Sequence, residues 1–235
     1  MNKNGLIGII LGALLAFPAS AAETLTISYI QPGSFTIDIV LEILKKAYGR
    51  AGIGLKFLPF PGKRLVMTAD SGDTDGEAAR STRATKLYPN LRRLSTPIFT
   101  AEIVAFSKDV KGPIATFSDL KPYIVGYRRG ATMQSKLSQG RQKVELEPIQ
   151  QGFRMMELGR LDIIIHFRYS GIKVLKEEFP GTKIKLISGS LRSVPLYHYL
   201  HKSKKHLIPK LDGVLKEMQK SGELNRIAER FANIN

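Results

Sequence analysis

TLTISYIQPGSFTIDIVLEILKKAYGRAGIGLKFLPF, residues Thr24 to Phe60, is the stretch that decides the fold. Residues 24–30 alternate as a strand does, Ile37, Val40, Leu41, Leu44, Ala47 and Tyr48 then recur at helical spacing between Thr36 and Gly49, and Leu55 to Phe60 reads as a second strand. Pro61-Gly62 breaks the chain, a short helix is predicted from Arg64 to Ala69, Ser71-Gly72-Asp73 turns it, and a short strand is expected around Asp75 to Ala79. Strands alternating with helices in this way give βαβαβ, the pattern of a parallel sheet covered by helices. After the loop at Tyr88-Pro89-Asn90, Glu102 to Phe106 reads as a further strand.

The middle third repeats the theme. Tyr123 to Tyr127 is predicted as a strand, Arg128-Arg129-Gly130-Ala131 as a loop and Thr132 to Leu137 as a helix. A strand near Val144 to Ile149, a helix from Gln151 to Leu158, the apolar strand Leu161 to Phe167, a helix around Ile172 to Phe179 and a strand Lys183 to Ile187 follow. The last segment, Pro195 to Leu200 with helices near Leu207 to Lys220 and Glu223 to Phe231, has no sheet of its own and is expected to pack back on the first unit. The chain then crosses between units twice, near Ser107 to Gly112 and near Gly189 to Pro195, and paired crossings make a hinge. The expected class is α/β with two lobes, each a small mixed or parallel sheet flanked by helices and joined by a two-strand hinge. Lobe I is read as residues 23–108 plus 195–235 and lobe II as 109–194. Ligands of open α/β sheets bind outside the carboxyl ends of the strands, where two such lobes face each other across a closing cleft.

The 235 residues hold 36 Lys+Arg against 20 Asp+Glu, a formal charge of +16, with 43% apolar and 24% charged residues. That is too apolar for disorder and fits a folded chain. The lack of cysteine excludes disulfide scaffolds, thiolate metal sites and cysteine nucleophiles. Met1 to Ala22 sets Lys3 before the apolar run Leu6 to Phe17 and ends in Pro18-Ala19-Ser20-Ala21-Ala22, a signal-peptide pattern with cleavage expected after Ala21 or Ala22. The run is shorter than the ~20 residues that span a bilayer. An exported, soluble periplasmic protein is therefore expected, with residues 1–22 removed. The positive charge is spread along the chain and has no RNA-binding aromatic signature or zinc knuckle with it. No nucleic-acid partner is expected, and most basic residues read as solvated surface that suits an anionic membrane face.

Enzyme signatures are poor. Ser118-Asp119-Leu120-Lys121 fits S-x-x-K without the companion S-D-N and K-T-G motifs, and Ser118 reads better as a helix cap. His198, His201 and His206 lack carboxylate or thiolate companions at ligand spacing, so no metal and no cofactor are expected. His166 ends an apolar strand and reads either as a core histidine or as a group facing the cleft.

Four stretches resemble the extracellular solute-binding proteins of the family-3 type, the periplasmic receptors of polar amino-acid ABC importers. Ser71-Gly72-Asp73-Thr74-Asp75-Gly76 is similar to the "sGxxDg" step before the third strand, Ser95-Thr96-Pro97-Ile98-Phe99 to "FSxPYF", Gly159-Arg160-Leu161-Asp162-Ile163-Ile164 to "GRxDaxv", and Ser221-Gly222-Glu223-Leu224-Asn225-Arg226-Ile227 to the terminal "dGxxxkI". They run in the family's order across almost the whole mature chain. The resemblance implies the type II periplasmic-binding fold, a non-catalytic monomer holding a small-molecule solute between its lobes, and an ABC permease in the inner membrane as partner. In members that bind α-amino acids, an arginine after the third strand grips the carboxylate and an acid just past the "GRxDaxv" strand grips the ammonium. Arg80 and Arg83 are available for the first role, whereas the acid's position holds Phe167, followed by Arg168. The resemblance thus implies an anionic or neutral ligand, with Glu77 or Asp75 as the alternative source of negative charge.

The residues themselves support the same site. Arg80 follows a short strand, where its planar guanidinium can clamp a carboxylate through two parallel hydrogen bonds; a surface ion pair with Glu77 or Asp75 is the alternative. As a cleft residue it is expected to serve binding far more than the fold. Arg128, Arg129 and Thr132 lie between a strand and a helix, where backbone N–H groups and a hydroxyl receive an anion or simply cap the helix. Tyr29, Phe35, Phe60 and Phe167 lie at strand ends or loops and either wall the cleft or pack in the core. The ligand site is expected from Arg80, Thr132, Glu77, Arg128, Arg129, Phe167, Arg83 and Tyr29, for a small polar, carboxylate-bearing solute. The alternatives are a cyclohexadienyl-dehydratase-like or other enzyme on the same fold, with Glu77 or His166 as acid or base, and a soluble sensory binding component.

Overall fold

Strand β1 (Thr24–Ile30) pairs in parallel with β2 (Gly54–Phe60) along its whole length and with β3 (Gly76–Arg80) at Ile27 and Ser28. Helices α1 (Phe35–Arg50) and α2 (Gly62–Ser71) make the crossovers, so the predicted βαβαβ is present. The computed structural model describes residues 23–31, 35–82, 87–129, 135, 139–140 and 142–231. The helix expected at Thr132 to Leu137 and the leader at 1–22 fall almost wholly outside these residues.

After β4 (Leu91–Arg93), β5 (Phe99–Ser107) leads into a second set of strands: β6 (Val125–Arg128), β7 (Lys143–Leu146), β8 (Ile163–Phe167) and β9 (Lys185–Leu186). Helices α3 (Ile149–Glu157) and α4 (Arg168–Glu178) flank them. Strand β10 (Arg192–His201) returns, and α5 (Ile208–Lys220) and α6 (Glu223–Phe231) close the chain. The strands follow the order β2-β1-β3-β10-β5-β8-β6-β7, with β4 on β10 and β9 on β5.

β10 belongs to both sheets. Arg192 to Leu196 pair antiparallel with Phe99 to Ile103 of β5, whereas Tyr197 to His201 pair with β3 and β4, and the register shifts between Tyr197 and Tyr199. From Ile103 to Phe106, β5 pairs with β8. The outward crossing therefore runs within β5, earlier than the expected Ser107 to Gly112, because its apolar residues continue straight from one core into the next.

The first core gathers Ile39, Val40, Ile43, Leu44 and Ala47 of α1 with Leu25 and Ile27 of β1 and with Leu211, Leu215, Met218, Leu224, Ile227 and Ala228 of the last two helices. The C-terminal helices thus pack on the first unit, as their amphipathic spacing requires; each such buried Leu or Ile contributes about 1.5–3 kcal/mol. The second sheet has a core on each face, one with Val104, Phe106, Leu146, Phe153 and Ile164, the other with Ile103, Ala105, Val125, Tyr127, Ile163 and Ile165. Two of the glycines permit close approaches across the fold. A Cβ on Gly76 would lie 2.2 Å from the Tyr199 carbonyl oxygen, and one on Gly171 would lie 2.4 Å from the Phe106 ring.

Aspartates of the quoted motifs staple this frame. Asp75 Oδ2 accepts the Thr26 N–H at 2.8 Å, and Asp162 Oδ2 accepts the Ile124 N–H at 2.8 Å, each tying the start of its strand to the neighbouring one. Asp212 of α5 accepts from the N–H groups of Ser95 and Thr96 and from the Ser95 hydroxyl, fixing the turn before β5.

Candidate functional site

Register alone locates the cleft. Arg80, the last residue of β3, lies opposite Tyr197 next to the crossing, while Gly76 lies opposite Leu200 farther away. Phe167, the last residue of β8, lies opposite Ile103 at the crossing, while Ile164 lies opposite Phe106. β1 runs parallel to β2 and β3, and β6 parallel to β7 and β8. The carboxyl ends of both sets of strands therefore point at the crossing from opposite sides, where open α/β sheets hold their ligands.

On the first side, Arg80 is not a loose cleft arginine. Its Nε donates to Glu77 Oε1 and Oε2 at 2.8 and 2.9 Å and its Nη2 approaches Oε1 at 2.7 Å, while the Glu77 side chain is only 1% exposed. Burial raises the Glu77 carboxyl above the usual range, and the Arg80 hydrogen bonds and charge oppose that rise. Arg80 thus carries more of the fold than expected of a cleft residue, because removing it would strand a buried carboxylate. Behind the pair, His198 is fully buried, with Nδ1 at 2.8 Å from the Glu77 carbonyl oxygen and Nε2 at 2.7 Å from the Tyr48 hydroxyl. A carbonyl can only accept, so Nδ1 carries the proton and Nε2 accepts from Tyr48. Burial pushes the His198 pKa down to about 4. Tyr199 adds a hydrogen bond from its hydroxyl to the Ser81 carbonyl at 3.0 Å, holding the chain just past Arg80.

Tyr29 sits half-buried, edge-on to Phe57 with ring centroids 6.2 Å apart, and Phe35 lies beneath the Lys173 ammonium at 5.3 Å. Phe60, at the end of β2, lies under the Arg64 guanidinium. Asp75 cannot supply charge to the cleft, because it is engaged with Thr26 and with Lys204 at the opposite end of β3. Arg83 and Thr132 lie outside the described residues.

On the second side, Arg128 ends β6 exposed, and exposed Arg129 follows with its Nε 3.9 Å from Glu145. Beside them on β8, His166 is buried, its Nδ1 has no hydrogen-bond partner, and burial together with the Arg128 charge pushes its pKa down to about 4. Phe167 packs against the first core and against one core of the second sheet, so it bridges the crossing. The next residue, Arg168, opens α4, where a helix N-terminus disfavours positive charge; its Nε donates to Glu102 of β5.

The S-x-x-K stretch is a short 3-10 turn, Phe117–Leu120, whose capping box is made by Thr116 and Asp119 rather than by Ser118. Among the described residues, no group of three or more His, Cys, Asp and Glu is placed to hold a metal, and no helix is long and apolar enough to cross a membrane.

No sequence-family model matches the chain. An uncharacterised curated protein of Shewanella oneidensis is 24% identical over 246 residues, covering 94% of this chain and 92% of its own length. The L-cystine solute receptor of Neisseria gonorrhoeae in its unliganded open conformation superposes with a TM-score of 0.73 at 16% identity, over 89% of this chain and 92% of that one. A second substrate-binding domain assigned to amino-acid ABC transport in Streptococcus pneumoniae gives 0.69 at 17% identity, over 88% and 99%. The GluR0 ligand-binding core complexed with L-glutamate gives 0.66 at 12% identity, over 91% and 99%. The chain thus has the two-lobed periplasmic-binding-protein fold, with two α/β lobes joined by a two-strand hinge.

Proposed function

We propose that this protein is a periplasmic receptor of the family-3 solute-binding kind, which closes its lobes on a small carboxylate-bearing solute and hands it to an ABC permease. Lobe I comprises residues from 23 to the start of β5 and from the middle of β10 onward, and lobe II lies between. The reading rests on one observation: the register brings Arg80 from one sheet and Arg128 and Arg129 from the other to facing strand ends, with Phe167, not an acid, between them. The outer edge of the Arg80 guanidinium, held square by Glu77, meets the ligand carboxylate from lobe I, and Arg128 and Arg129 meet it from lobe II. A ligand that touches both lobes favours the closed state by its differential affinity. Glu77 is committed to Arg80 and His166 is buried, so neither is presented as an acid or base, which supports binding over catalysis.

A melting screen of amino acids, dicarboxylates and small inorganic anions tests it. A solute at a hundred times its Kd adds about 2.7 kcal/mol, or several degrees. Carboxylates should give the shifts, and Arg128→Ala should remove them while leaving the unliganded midpoint in place. Largest shifts with lysine or arginine would refute the reading.

A further inference from the structure

A crevice of about 310 Å³ lies over the first half of β5 and between α4 and α6. Phe99, Glu102, Tyr169, Gln219, Asn225 and Glu229 line it. None of the arginines assigned to the cleft is among its walls. Phe99 and Tyr169 stack obliquely, with ring centroids 6.0 Å apart, and give it an aromatic flank. Glu102 is already neutralised by Arg168. Glu229 is half-buried and has no ion pair among the described residues, although the chain carries +16. The Tyr169 hydroxyl and the side-chain amides of Asn225 and Gln219 likewise make no hydrogen bond to described residues. Acceptor groups thus converge on one cavity beside an aromatic face, with negative charge in excess.

We propose that this crevice is a second ligand site, which takes a small organic cation, a primary ammonium or a guanidinium. A cation placed there meets the Glu229 carboxylate, the Tyr169 and Asn225 oxygens and the edge of the Glu102–Arg168 pair, while its carbon stem lies on Phe99 and Tyr169, an arrangement that combines charge-assisted hydrogen bonds with cation–π attraction. Burial raises the Tyr169 phenol, the Glu229 and Glu102 charges raise it further and the Arg168 charge opposes them, so both carboxylates act on the same small volume. The volume fits a ligand of a few carbons. The walls come from α6, packed on the first core, and from α4, on the second sheet, so an occupant touches elements on both sides of the hinge. The proposal is independent of what the main cleft holds.

The test uses n-butylammonium and n-butylguanidinium, with n-butanol as the uncharged control, titrated into isotopically labelled protein and followed by amide chemical shifts. Saturable shifts at Tyr169, Asn225 and Glu229 are expected for both cations and none for the alcohol. Glu229→Gln should weaken binding about tenfold or more, as loss of a charged partner does. Asn225→Asp, which adds a carboxylate on an exposed helix position, should tighten it, and Arg128→Ala should leave it unchanged. Equal shifts with butanol, shifts confined to the strand ends at Arg80 and Arg128, or full affinity in Glu229→Gln would each overturn the assignment, and so would an Asn225→Asp protein that binds no more tightly.

Discussion

Acid should unfold this protein from within, through His166 and His198. Both are buried, and burial pushes each from an ordinary 6.5 down to about 4. As pH falls through 6.5 the unfolded chain takes up these protons before the folded one, so stability is lost between about 6.5 and 4 and levels off below. The loss is about 2 kcal/mol per histidine at pH 5, hence about 4 kcal/mol for the two, a large share of a typical folding free energy of about 5–15 kcal/mol. Glu77 works in the opposite sense, because its raised pKa makes the folded chain bind a proton first; it cancels when variants are compared. The two histidines separate cleanly. His166→Phe removes a ring nitrogen that has no partner; it should be neutral or stabilising at pH 7 and should abolish about half of the loss between pH 7 and 5. His198→Phe orphans the Tyr48 hydroxyl and the Glu77 carbonyl, and should cost about 2–4 kcal/mol already at pH 7. Urea midpoints followed by far-UV circular dichroism at a series of pH values provide the readout. A His166→Phe protein with the full acid loss of the wild type would refute the burial argument.

Arg80→Ala should lower stability by about 2–4 kcal/mol at pH 7, and less at pH 4 where the stranded Glu77 takes a proton, as read from the same urea curves. Gly76→Ala forces a methyl onto the Tyr199 carbonyl and should cost about 3 kcal/mol or prevent folding, visible in the melting midpoint; an unchanged midpoint would show that β3 and β10 are not in this register. Intact-mass measurement on protein recovered from its native host should find Ala22 or Glu23 at the N-terminus. Prephenate or arogenate incubated with the protein should decay only at the background rate, as measured by absorbance.

Periodicity carried most of the fold. The alternation of Thr24 to Ile30 and the helical spacing from Ile37 to Tyr48 depend only on neighbours in the chain, and both elements fall where they were read. β4 escaped because three residues carry no period, and the point of crossing escaped because Ile103 to Phe106 is equally apolar whichever sheet it joins. At the site, Arg80 and an ion pair with Glu77 were both legible, but the burial that makes the pair structural was not: Glu77 is buried, and residues three apart in a regular strand point to opposite faces, so the pairing needs the register shift opposite Tyr197 and Tyr199. The His198 bond to Tyr48 spans 150 residues, beyond any local signal. The signature stretches marked scaffolding more than chemistry, since Asp75 and Asp162 are spent accepting from backbone N–H groups and the Ser95-Thr96 turn donates its own N–H groups to Asp212.

The register shift in β10 sets the mechanics of any closure. Beyond Tyr197 that strand is clamped by β3 and β4 and bolted down through His198, while below it only β5 holds Arg192 to Leu196. The compliant part is thus a two-stranded ribbon four residue pairs long, from Phe99 opposite Leu196 to Glu102 opposite Ser193, since β8 already holds Ile103. Such a ribbon bends easily out of its own plane, like a leaf spring, but in-plane bending would have to stretch one strand against the other. Opening and closing are thereby channelled into one direction, and a solute that fits along that path meets both lobes without any swivel between them.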